Sequence, residues 1–241
     1  NEPDGFPRWR LSQYSVSLTG QRITEQQAWD AVCTTLDNAG KAFKAAKYNV
    51  YTRTNLTTLS EVSDFVRRIY ELEGIDAVGN DPYMQSIGSL RSALENFREG
   101  LPGNFNHIAE NKGSYTNTPG LLLTAAANGA GYMIYDLSTP QYFIDNTSDP
   151  TTIDHGVLNV DLTDREHTEA VRRTLKALAA AGNAVMLADR ENFAVFNTEA
   201  SYPETAYEHT ATVGGVSVTF TTAAGAVGFA IAYEGYVYLF A

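Results

Sequence analysis

Two glutamates stand where a carboxyl group could do chemistry. Glu110 follows the extended run Phe105–Ala109 and leaves through Asn111-Lys112-Gly113, and Glu2 sits between Asn1 and Pro3. A carboxyl can give or take a proton or attack a carbon, and two carboxyls in unlike surroundings can divide these tasks. Other polar groups gather at the ends of short β-rich or apolar runs. Arg53 and Asn55 follow Tyr48–Thr52; Asn80, Asp81 and Tyr83 follow Ile75–Gly79; Tyr135 and Asp136 end the run that begins at Gly131. No nucleotide-binding glycine fingerprint accompanies them, and His107, His155, His167 and His209 show no metal-ligand spacing, so neither a cofactor nor a metal is expected.

These exits recur because helix and strand signals alternate. Thr24 with Gln27 offers a capping box, and Ala28, Trp29, Val32, Leu36, Ala39 and Phe43 follow at three-to-four spacing, a helix to about Ala46. After the first strand, Ser60–Ser63 opens a helix through Val62, Phe65, Val66, Ile69, Tyr70 and Leu72 to Gly74. Ile87, Leu90, Leu94 and Phe97 mark the next, and Pro119–Asn128 the fourth. The mid-strand positions Val50, Ala77, Ala109 and Ile134 recur at roughly the 31 residues that a (β/α)₈ barrel allots to each unit. Strands joined by helices run parallel and are covered on both faces, which suits these mostly apolar runs. In a barrel the C-terminal strand ends form the rim where active sites sit.

After Leu137 comes a long polar loop to Asn159, then a helix from Asp164-Arg165-Glu166 through Ala170, Val171, Leu175 and Leu178 to Gly182. The period then changes. Ala184–Ala188 with Phe193–Asn197, Thr210–Val213 with Val216–Thr221, and Val227–Tyr233 with Tyr236–Phe240 read as three hairpins. The expected organisation is α/β: residues 1–182 as the C-terminal half of a (β/α)₈ TIM barrel, from the end of strand four to strand eight, and residues 183–241 as a small antiparallel β-sandwich domain.

Charge and composition narrow the partners. The net charge of −11 is opposite to what a phosphate-tracking surface needs, so no nucleic acid is expected. No apolar run reaches membrane-spanning length, and the single cysteine, Cys33, excludes a disulfide framework and any thiolate zinc cluster. The first residues show neither an initiator Met nor the pattern of a leader, so processing or truncation before Asn1 is expected. A half-barrel would leave sheet edges and helix faces uncovered, so about 125 residues, four units, are expected before Asn1 as the missing N-terminal half of the barrel.

A strand ending in Asn1-Glu2-Pro3, followed three strands later by one ending in Glu110, resembles the clan A glycoside hydrolases, the four-seven (β/α)₈ superfamily. The segments between agree. Gly74-Ile75-Asp76-Ala77-Val78-Gly79-Asn80-Asp81-Pro82-Tyr83 is similar to that family's sixth strand, Ile108–Gly113 to its seventh, and Gly129–Leu137 to its eighth in the β-galactosidase-like branches, with Tyr135-Asp136 where a Trp is frequent. The resemblance implies a retaining enzyme cleaving a β-linked sugar by double displacement, with Glu2 as acid/base and Glu110 as nucleophile about 5 to 5.5 Å apart. It further implies that Asn1 bonds the sugar 2-hydroxyl and that donors such as Tyr83, with Arg53 as a second candidate, hold Glu110 ionised. With Asn1, the candidate substrate contacts are Arg53, Asn55, Asn80, Tyr83, Asn111, Tyr135 and Asp136. Asp81 reads as a turn cap before Pro82, Trp29 and Cys33 as buried helix residues, His107 as a packing or hydrogen-bonding residue, and Trp9 as a candidate cleft residue. An oligosaccharide or polysaccharide substrate and an extracellular or periplasmic location follow from the resemblance. Two other readings remain: a non-catalytic carbohydrate-binding or scaffold protein that keeps the barrel, and an independent four-strand α/β domain binding a small ligand.

Overall fold

The structure is a computed structural model that describes residues 20, 23–46, 52–56, 64–98, 107–149, 154–189, 192–196, 207–223 and 228–240. The chain is mixed α/β. Strands β1 (Arg53–Leu56), β2 (Ala77–Asn80), β3 (His107–Asn111) and β4 (Ala130–Ile134) form a parallel sheet in that order. Helices alternate with them: α1 (Glu25–Ala46), α2 (Asp64–Tyr70), α3 (Ile87–Arg98) and α4 (Thr118–Ala127). Then come α5 (Gln141–Asp145), α6 (Thr168–Leu187) and two small antiparallel sheets. No described helix is long and apolar enough to cross a membrane. The described residues fall into two compact units, one from 1–81 and 96–108, the other from 82–95 and 109–241.

In the first unit α1 starts as its sequence dictates. The Gln27 N–H donates to Thr24 Oγ1 at 3.2 Å while the Thr24 N–H donates to Gln27 Oε1 at 2.8 Å, satisfying two donors that a helix start otherwise leaves open. Thr24→Ala lowers stability by about 1 kcal/mol, read as a lower urea midpoint; an unchanged midpoint would show that the cap contributes nothing. Trp29 and Cys33 are buried with Ile69, Val78 and Phe97, as their periodicity requires. Phe43 keeps that period yet is 63% exposed. The last turn of α1 overshoots the core, and Lys44, not Phe43, reaches the turn after α2, where it donates to Asp76 Oδ1 at 2.8 Å and to the Glu73 carbonyl at 2.9 Å. Burial works against the Asp76 charge, but Lys44 and the Thr52 N–H and hydroxyl outweigh it and hold the carboxyl below its ordinary range.

Three of the four parallel strands end later in the sequence than their propensities indicate. Tyr48–Tyr51 lie outside the described residues, and β1 begins at Arg53, pairing Arg53 with Ala77 and Leu56 with Asn80. Arg53 and Asn55 are therefore strand residues on one face, not an exit loop. The anchor is Asp76, whose carboxylate accepts from the Thr52 N–H at 2.8 Å and sets the register. β2 and β3 likewise run on to Asn80 and Asn111, whereas β4 ends at Ile134.

In the second unit Ile87, Leu90 and Leu94 of α3 pack with Ala109, Leu121, Ala125 and Ala130. The other face of α4 buries Ala126 and Ala127 against Ala184 and Val185 of α6 and against Phe229, Ile231 and Phe240. Helix α6 departs from expectation at both ends. It starts at Thr168, because Asp164 and Arg165 are drawn into ion pairs with Arg172 and Asp154. It kinks at Gly182 and continues to Leu187, so Ala184–Leu187, read as a strand, is helical; a short apolar run does not by itself separate strand from buried helix. β5 (Phe193–Phe196) consequently pairs with β8 (Gly228–Tyr233), which also pairs with β9 (Tyr236–Phe240). β6 (Tyr207–Val213) and β7 (Val216–Thr222) form the expected hairpin about Gly214-Gly215. Val213, Val218 and Phe220 of that hairpin bury against Ala230.

Candidate functional site

Strand alternation turns Ala109 into the core and leaves Glu110 beside it near the end of β3, where it is buried to 7% exposure. Tyr83 Oη donates to Glu110 Oε1 at 3.0 Å, the contact expected of this tyrosine. Reaching it puts the Tyr83 backbone at φ 43, a region unfavourable for a bulky residue. Three consecutive carbonyls show how the segment is held there. Tyr115 Oη donates to the Tyr83 carbonyl at 3.1 Å, Asn111 Nδ2 to that of Met84 at 2.9 Å, and Asn117 Nδ2 to that of Gln85 at 2.6 Å. Asn111 is fully buried and its Oδ1 accepts from the Lys112 N–H, so its amide positions the segment that carries Tyr83.

Tyr83 also belongs to a cluster of three rings. The Tyr83 ring stacks on His155 with centroids 5.9 Å apart at 27°, and Tyr135 meets both edge-on, at 6.1 Å from Tyr83 and 4.9 Å from His155. Tyr135 follows β4 directly, its N–H bonded to the Asn111 carbonyl, and it is 50% exposed. His155 is fixed through its backbone. Its carbonyl accepts from the Gly113 N–H at 2.7 Å and its N–H donates to Thr139 Oγ1 at 2.9 Å. On one side Asp154 is gripped by both oxygens on Arg165 Nη2, at 2.7 and 2.8 Å. On the other, Gly156 bridges Asp136 as a parallel pair. A Cβ on Gly156 would lie 2.7 Å from Ser138 Cα, so only glycine allows the two segments to come this close. Burial pushes the Tyr132 phenol well above its ordinary value, with Tyr115 adding to the effect, so Tyr132 stays neutral.

Tyr83, Glu110, Asn111, Tyr135 and Asp136 are thus brought together within the second unit. In the first unit, Arg53 Nη2 donates to Asn55 Oδ1 at 2.6 Å and Asn55 Nδ2 donates to Asp81 Oδ1, with Asn80 and Asp81 buried. Asp81, read as a turn cap, is the end of that chain. Asn1, Glu2 and Trp9 lie outside the described residues, as does the side chain of His107. His155 was one histidine among four by sequence; it lies 45 positions from Glu110, and its only local sign is the glycine after it. Among the described residues no three His, Cys, Asp or Glu side chains gather as metal ligands would. The arrangement can present an oriented, nearly buried carboxylate next to a tyrosine that packs with two further rings, which suits attack on a polar molecule with flat apolar faces.

Compared with known proteins, residues 31–203 match the model of a family described as a domain of unknown function, DUF4978. No curated protein and no solved structure matches the chain.

Proposed function

The chain belongs to the DUF4978 family, and we propose that it works as a retaining glycoside hydrolase on a β-linked sugar, with Glu110 as the nucleophile. The observation that carries this reading is the Tyr83 hydroxyl on Glu110 Oε1 near the C-terminal end of a parallel strand. In that reaction the Glu110 carboxylate attacks the anomeric carbon, forming a glycosyl ester as the bond to the leaving oxygen breaks. Glu2, the acid/base in this reading, gives that oxygen its proton. Water, losing a proton to Glu2, then attacks the same carbon and frees Glu110. Tyr83 keeps the nucleophile oriented, and Tyr135 and His155 offer ring faces and edges to the sugar. In the same reading the four parallel strands are the second half of a (β/α)₈ barrel, the small sheets form a β-sandwich domain, and the protein works outside the cell or in the periplasm.

The test is trapping. A 2-deoxy-2-fluoro β-glycoside with an activated leaving group slows both steps through its fluorine while the leaving group restores the first, so the full-length protein is expected to gain one sugar mass on the peptide holding Glu110. A label on another residue, or binding of sugars with no turnover of any nitrophenyl β-glycoside, overturns the proposal; the latter outcome supports a non-catalytic sugar-binding protein. Tyr83→Phe keeps the ring stack and removes the bond to the carboxylate. Hydrogen bonds to charged groups contribute about 1.5–3 kcal/mol, so kcat is expected to fall about 10- to 100-fold with the unfolding midpoint little changed. Unaltered kcat would remove Tyr83 from the mechanism.

A further inference from the structure

We infer that Thr139–Asp149 is an arm that binds a neutral polysaccharide chain beyond the site, so that the substrate of the proposed hydrolase is a polymer without acid groups; this rests on the reading of Glu110 above. The arm leaves and re-enters the fold at one place. Its root is tied where Thr139 Oγ1 accepts the His155 N–H, where Gly156 bridges Asp136, and where the Leu158 N–H donates to the Leu137 carbonyl at 2.9 Å. Helix α5 on the arm buries none of its residues. Tyr142 is 71% exposed and Phe143 55%, their rings edge to face with centroids 5.7 Å apart. Three residues of chain span at most about 11 Å, so Tyr142 stands within that distance of Thr139 and hence a few sugar units from His155.

Area and charge select the occupant. Two aromatic side chains offer at most about 300–500 Å², short of the ~800 Å² per partner that a stable protein interface buries. On the arm itself the two rings are flanked by exposed Gln141, Asp145, Asn146 and Asp149. Two rings amid amides and carboxylates match sugar units, which present C–H faces and hydroxyl edges. From Gly113 to Asp164 there is no Lys or Arg, while Asp136, Asp145 and Asp149 stand at the root and along the arm. A uronate or sulfate chain laid there would meet like charge with no cation in this stretch to neutralise it.

The experiment is affinity electrophoresis of the full-length protein in gels containing neutral β-glucan, xylan, mannan or galactan, with polygalacturonate as the anionic probe. Alongside it runs nitrophenyl glycoside turnover. Retardation is expected in at least one neutral gel and not with polygalacturonate. Tyr142→Ala/Phe143→Ala is expected to weaken it about tenfold, Tyr142→Phe to preserve it, and turnover of the nitrophenyl glycoside to stay unchanged in both. No retardation in any neutral gel, retardation by polygalacturonate, or equal retardation of the double variant overturns the inference. So does a change in oligomeric state by light scattering with sugar affinity intact, which would make the patch a protein contact. Arm-dependent retardation without glycoside turnover leaves the arm as a binding site and removes the hydrolase reading; turnover with arm-independent retardation does the reverse.

Discussion

Glu110→Gln is expected to reduce turnover of a nitrophenyl β-glycoside by about a thousandfold or more. The substitution isolates chemistry from folding. A glutamine carbonyl can accept the same Tyr83 hydroxyl that Glu110 Oε1 accepts at 3.0 Å, so the half-buried phenol keeps a partner and the unfolding midpoint should barely move. An amide oxygen is a poor nucleophile, and the first step then lacks the group that forms the glycosyl ester. A second variant sharpens the assignment. Glu110→Ala opens space beside the anomeric carbon, and added azide should restore turnover and give a glycosyl azide of inverted configuration, because the small anion attacks once from the vacated side. Turnover of the Gln variant within tenfold of the parent sinks the assignment of Glu110 as nucleophile. Failure of azide to act on an Ala variant that still binds sugar counts against it as well.

Gly40→Ala is expected to destabilise the protein by about 3 kcal/mol or more, although alanine in an exposed helix interior would gain about 1 kcal/mol over glycine. The reversal of sign comes from one approach. A Cβ on Gly40 would lie 2.0 Å from the Gly74 carbonyl oxygen and 2.6 Å from its carbon. In the opposite direction, a Cβ on Gly74 would lie 2.3 Å from the Asp37 carbonyl oxygen. Both neighbours are backbone, so no side chain can swing aside; α1 must lift from the turn after α2. That motion also strains the bond from the Gly74 N–H to Asp37 Oδ1 at 2.8 Å and loosens Trp29 and Cys33 from Ile69. The check is the urea midpoint followed by tryptophan fluorescence. A midpoint equal to the parent's or higher would show that the helix and turn separate at little cost.

Both expectations also mark how far the sequence carries. The alternation of helix and strand, the capping box at Thr24, the buried faces of α1 and α3, and the hairpin about Gly214-Gly215 are legible because each is a local pattern of period, cap or turn. The contact of Tyr83 with Glu110 was also within reach, since the family resemblance set the tyrosine beside that glutamate. Strand ends shifted by a few residues, because Asp76 fixes the start of β1 through Thr52 and propensity cannot see that bond. Helix α6 ran through a stretch that reads equally well as strand, because Ala184 and Val185 are buried against Phe229 and Ile231 more than forty residues on.

The sequence by itself determined which segments could be helix or strand and which side chains could act as acid, nucleophile or donor, since those properties belong to single residues and near neighbours. Only the tertiary structure decided that His155 stacks on Tyr83, that Asn111 clamps the Met84 carbonyl, and that Gly40 must lack a side chain. Each of these depends on backbone segments meeting after dozens of intervening residues. Their meeting is set by packing of the whole core, for which no short window of sequence carries a signal.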